Sequence, residues 1–231
     1  MLLRSRHAIF ACALILASLS LSAQSPTFRA GTRAIALPSP RADLVETGSD
    51  ARQALDYMVP EGNRMVAAFV TGDDLRFLRA GQLHRLTAYG VVEVQRSAEF
   101  TDASSADFAT VVQMMNEQFG VIFQGAVKDQ QQPVNERLKA LNAKAAWVTL
   151  EKPVQLGNWF TKTDAVGYGI AEPVKSAGET VNMAGGIAVV RVNERLLFAY
   201  FYEPIVDDTT IDTVRTTTEH WVDAILAANR K

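Results

Sequence analysis

The side chains suited to acid–base or metal chemistry are few and scattered. Past the first two dozen residues the chain has two histidines, His84 and His220, in unlike settings. His220 stands beside Trp221 with Glu219 and Asp223 close by on a helical pattern, while His84 lies in the polar stretch Gln82-Leu83-His84-Arg85. Zinc takes three or four ligands at short, recognisable intervals, and no such set occurs. A charged, solvated helix face explains His220 and its acids better than a metal centre does. No G-x-S-x-G elbow is present, so a hydrolase of that type lacks its nucleophile turn. Gly167-Tyr168-Gly169 and Gly185-Gly186 make neither a dinucleotide fingerprint nor a phosphate loop; relief of crowding in a strand is their expected role. The acid pairs Asp73-Asp74 and Asp207-Asp208 each precede a helical segment, where capping and the helix dipole account for them without calcium. Met114-Met115 reads as core filling. The sequence thus nominates no catalytic residue, no cofactor-binding residue and no metal ligand.

The first residues carry a different message. Arg4 and Arg6 precede an apolar run over residues 8–21, and Ser22-Ala23 follows. Basic, apolar, then small residues is the order of a secretory signal peptide, and the run falls short of the ~20 residues of a transmembrane helix. Cleavage is expected near Ala23. The single cysteine, Cys12, lies inside this leader, so the mature chain is expected to hold no disulfide and no thiol. Losing residues 1–23 removes two arginines and no acid, which makes a chain of net charge −2 more acidic still. Mild acidity without basic runs argues against nucleic acid or an anionic membrane as partner. The expected location is the periplasm of a bacterial envelope, or outside the cell, with no membrane span once the leader is gone.

Residues 24–43, with Pro26, Pro38 and Pro40, read as a linker and an edge strand; residues 44–231 read as one domain. The pattern predicts a short helix over 50–58, a strand over 64–71, a helical turn over 73–79 and a strand over 89–96. A helix capped by Ser104 or Ser105 follows, with Phe108, Val111, Val112, Met115 and Phe119 on one face and Gly120 closing it. A strand over 121–127, a polar linker over 128–132 and a helix from Pro133 to Ala145 come next. Strands are predicted over 146–150, 155–161 and 168–174. Residues 187–192 and 196–202 then form a hairpin around Asn193-Glu194-Arg195. Leu196, Phe198, Tyr200 and Tyr202 alternate with Leu197, Ala199 and Phe201, so neither face is polar and the strand is expected to be central and covered on both sides. A last helix over 209–229 has Thr209 and Asp212 as a capping box and a stripe through Val214, Trp221, Val222 and Ile225.

Helices before and after a run of antiparallel strands define an α+β fold, a sheet with helices packed on both faces. In the order of its elements the chain resembles the PsbP/Mog1-like sandwich, a likeness of topology to which no functional residue attaches. The leader and the missing catalytic signatures together point to an exported, non-catalytic binding or accessory protein. Its partner is expected to be a protein or small ligand of the envelope. An immunity protein against an envelope toxin and an envelope enzyme without a recognisable motif are the alternatives.

Overall fold

The computed structural model describes residues 25–82, 86–141, 148–176 and 179–230; the predicted leader, Cys12 and His84 lie outside the described residues. In chain order the strands are β1 (Thr27–Ala30), β2 (Arg33–Ala36), β3 (Leu44–Glu46), β4 (Asn63–Thr71) and β5 (Tyr89–Gln95). They continue with β6 (Val148–Leu150), β7 (Val154–Lys162), β8 (Ala165–Ser176), β9 (Glu179–Val192) and β10 (Arg195–Pro204). The helices are α1 (Gly48–Gln53), α2 (Gly72–Arg79), α3 (Ser105–Leu141) and α4 (Thr210–Ala228), with a 3-10 turn at Asp56–Met58.

The two apolar runs ending at Tyr202 form the middle of an antiparallel sheet ordered β3-β4-β5-β10-β9-β8-β6, with β7 also paired to β8. Asn193 and Glu194 turn the chain between β9 and β10 with φ of 48° and 63°. Such left-handed two-residue turns match the twist of the strands they join. Arg195, expected in the turn, instead begins β10 opposite Val192. Its guanidinium is buried against Asp102, which draws it out of the loop.

One face of the sheet is dry. Leu197, Ala199 and Phe201 are wholly buried, as are Ala188 and Val190 of β9, beneath Val214, Trp221, Val222 and Ile225 of α4. Gly186 permits this approach: a Cβ there would lie 2.0 Å from Thr218 Oγ1. The segment read as a linker and an edge strand closes the same core. β1 and β2 pair as a separate hairpin, and Ala30, Ile35 and Leu37 are wholly buried. Asn229 extends the β2 ladder, accepting from Ala36 N at 2.9 Å and donating to Ala36 O at 2.8 Å.

The other face carries α3 over β8 and β9, with α1 and α2 over β4 and β5. Helices therefore pack on both faces, as the α+β reading requires. Coverage of β10 on this side is incomplete: Leu196, Phe198, Tyr200 and Tyr202 are half-buried, because α3 and α2 sit to either side of them. The expectation of two dry faces holds for one.

Two further differences concern helices. α3 runs unbroken through the predicted strand over 121–127, the polar linker and Pro133. Gly120 does not end it; its missing Cβ makes room for the Gln155 side chain of β7. The second half gains what local propensity lacks from tertiary bonds: Asn135 exchanges two hydrogen bonds of 2.8 Å with Val148, and Gln131 Oε1 accepts from Leu150 N at 2.6 Å. At α4 the Thr209 hydroxyl caps nothing, because it donates to Asp207 Oδ1 at 2.7 Å, and Asp207 also accepts from Thr209 N. Ser104 and Asp107 do form the reciprocal cap of α3, with bonds of 3.1 and 2.8 Å.

Candidate functional site

The residues singled out by chemistry in the sequence do not converge. His220 is exposed on α4, and its neighbours Glu219 and Asp223 are both paired with Lys162, each at 2.9 Å. Gly167 and Gly169 lie under the rings of Phe160 and Trp159, which a Cβ would overlap. Met115 is core, and Met114 faces outward. Thr71 caps α2 by accepting from Asp74 N, and Asp74 Oδ2 accepts from both Thr87 N and its hydroxyl. Among the described residues no group of three or more His, Cys, Asp or Glu is placed to hold a metal ion.

What the fold does assemble is a cleft of about 760 Å³ where β1, α1, the 3-10 turn, the start of β4, the residue just past β5 and the far end of α3 meet. Five arginines line it: Arg29, Arg52, Arg64, Arg96 and Arg137. Each is delivered by a different piece of chain. Burial of Ala51 and Leu55 turns α1 so that Arg52 reaches the carbonyl of Val66, with its guanidinium 5.9 Å from the ring centroid of Phe28. The turn Pro60-Glu61-Gly62-Asn63, closed by Asn63 N donating to Pro60 O at 2.8 Å, launches β4 and sets Arg64. Arg64 pairs with Glu99 and donates to Arg29 O at 2.9 Å. Pairing with Arg64 holds the Glu99 carboxyl below its ordinary range, helped by the Gly31 N–H it accepts. Arg137 comes from the half of α3 past Pro133 and donates to the carbonyls of Val59 and Asp56. Burial pushes the neighbouring Tyr57 phenol up to about 12, so it stays protonated and available as a donor. The volume lies within the ~300–1,000 Å³ of small-ligand sites.

A second cluster lies on the half-open face. Glu93 of β5 and Glu172 of β8 are buried there at 4% and 7% exposure, and Tyr89 stacks on Tyr202 with centroids 5.2 Å apart. Burial pushes both carboxyls up to about 7, against a partial downward pull on Glu93 from the Asn63 amide, which donates at 2.8 Å. Glu172 Oε1 is buried without a hydrogen-bond partner. Burial raises the phenols of Tyr89, Tyr200 and Tyr202, and the nearby carboxylates add to it. Near neutral pH this face therefore holds protonated or half-protonated carboxyls among phenols, a set able to give or take a proton.

Neither cluster was nominated from sequence. The arginines are single residues spread from position 29 to 137 with no motif around them. Glu93 did leave a trace: an acid inside the apolar run Val91-Val92-Glu93-Val94, on the row shared with Tyr89.

No protein-family model matches the chain, and no curated protein does. Among solved structures, a mutant of the protein Mog1 is similar over 88% of this chain and 94% of that one, at 11% identity and a TM-score of 0.34. The fold assignment rests on the strand order and the helices on both faces described above. Among the described residues no helix is long and apolar enough to cross a membrane.

Proposed function

We propose that this is an exported, non-catalytic binding protein of the bacterial envelope, with the arginine-lined cleft as its ligand site. The observation that carries the reading is the cleft itself. It is a concavity of ligand size to which five separate segments each bring an arginine, a cation suited to holding a ligand and not to general acid–base work. The export half of the proposal rests on the basic, apolar and small-residue order of the first 23 residues.

The test joins both halves. A tagged chain recovered from the periplasmic fraction should lack residues 1–23 by mass. After incubation with envelope extract it should retain a small-molecule mass adduct in native mass spectrometry, released chemically unchanged. Gln53→Trp, which fills the cleft from an exposed position, should abolish the adduct. A cytosolic product with an intact leader, or an adduct indifferent to Gln53→Trp, would refute the proposal.

An enzyme is the second reading, favoured by Glu93 and Glu172, since carboxyls held near neutral pH recur at catalytic sites. Recovery of the ligand as a chemically altered product, with loss of conversion in Glu93→Gln or Glu172→Gln, would select it.

A further inference from the structure

Resting on the cleft as the ligand site, we infer that it takes a small molecule bearing two or more anionic oxygen groups, phosphate or carboxylate, gripped by Arg29 and Arg96 with Arg52 and Arg137 behind them. The charge accounting supports this. Five arginines line the cleft against two carboxylates, Asp56 and Glu61, in a chain whose overall charge is −2. Only Arg64 is neutralised, by Glu99. Arg52 and Arg137 make no ion pair among the described residues; they donate to main-chain carbonyls, which fixes their position and leaves their charge uncompensated. Arg29 and Arg96 are exposed at the rim, and among the described residues their side chains make neither a hydrogen bond nor an ion pair. Glu99, the acid near Arg96, is already occupied by Arg64 and the Gly31 N–H.

Positive charge gathered into a concavity of an acidic protein attracts small anions while the rest of the surface repels long polyanions. Guanidinium forks match carboxylate and phosphate oxygens two at a time, and each arginine carries five N–H donors. Arg52 spends Nη1 on one carbonyl, and Arg137 spends Nη1 on two, so most of their donors stay free for a ligand. Phe28, Val59 and Met65 line the same space and suit an apolar body between the anionic ends.

Titration calorimetry of the purified protein with diphosphate and with citrate tests this. Both probes should bind with a 1:1 endpoint, more weakly as sodium chloride is added. Arg29→Ala combined with Arg96→Ala should weaken binding at least tenfold. Arg29→Lys with Arg96→Lys should recover part of the loss, and Arg76→Ala on α2, which does not line the cleft and is paired with Asp73, should change nothing. Unaltered denaturation midpoints certify that these exposed substitutions leave the fold intact. A diphosphate-only or citrate-only response assigns the shared chemistry to phosphate or carboxylate. Absence of binding, equal binding by the double alanine variant, or tighter binding of a DNA oligomer than of either probe overturns the inference. An envelope adduct lost in Gln53→Trp yet kept by the double alanine variant would leave the cleft standing as the ligand site and refute its preference for anions.

Discussion

Replacing Trp221 by alanine should lower the unfolding free energy by about 3–5 kcal/mol, the cost typical of emptying a large aromatic site in a core. The indole is 1% exposed. It meets Phe69 edge-on at 5.9 Å and donates from Nε1 to Pro38 O at 2.8 Å. It therefore holds three layers together: α4, the sheet through β4, and the segment after the N-terminal hairpin. Alanine leaves a cavity among these and deprives the half-buried Pro38 carbonyl of its donor. Phe198→Ala, on the half-open row of the same sheet, should cost only about 1–2 kcal/mol, since less of its surface is withdrawn from water. Urea denaturation followed by tryptophan fluorescence and circular dichroism checks both values. Equal losses at the two positions would mean that the two faces of β10 are equally covered.

The second large effect is on the dependence of stability on pH. Glu93 and Glu172 are held near 7 in the fold by burial, against an ordinary value of 4.5. The folded state therefore binds more protons than the unfolded state between those two values. Its stability is greatest where both carboxyls are protonated and falls as pH rises through the window. Each carboxyl moved this far contributes about 3 kcal/mol of loss once fully ionised. Asp43, Glu99, Asp102, Asp107 and Asp207 behave oppositely. Partners depress them, so their contribution is present above the ordinary carboxylate range and is lost on acidification below it. The protein should thus be most stable near pH 5. Raising the pH from 5 to 8 should cost the wild type several kcal/mol, and Glu172→Gln should remove about 2–3 kcal/mol of that decline. Denaturant midpoints of both proteins across this range supply the measurement; parallel curves would show that Glu172 ionises normally.

The sheet was legible in the sequence wherever the side chains themselves carried the signal. The run from Leu196 to Tyr202 marks a central strand, and the stripe through Val214, Trp221 and Ile225 marks the helix that covers it, because burial demands apolar residues at fixed periods. The course of α3 was not legible. Residues 121–127 look like a strand and Pro133 like a helix start, and what carries the helix across them is a set of long-range bonds from Gln131 and Asn135 to β6. Local propensity has no access to those bonds. Of the N-terminal hairpin the edge strand within residues 24–43 was legible, with Ile35 and Leu37 alternating as a buried strand requires; its partner β1, next to Pro26, was read as linker. For the candidate site the gap is wider. Arg29, Arg52, Arg64, Arg96 and Arg137 are ordinary surface residues in sequence, and only the meeting of five segments makes them a site.

That meeting is the claim most worth testing. Arginine side-chain Nε–Hε resonances, followed by NMR during titration with diphosphate, report on each guanidinium separately. The account predicts saturable shifts at Arg29, Arg52, Arg96 and Arg137, with Arg76 and Arg215 unmoved. Small, non-saturating shifts spread over all the arginines, or saturable shifts confined to arginines outside the cleft, would contradict it.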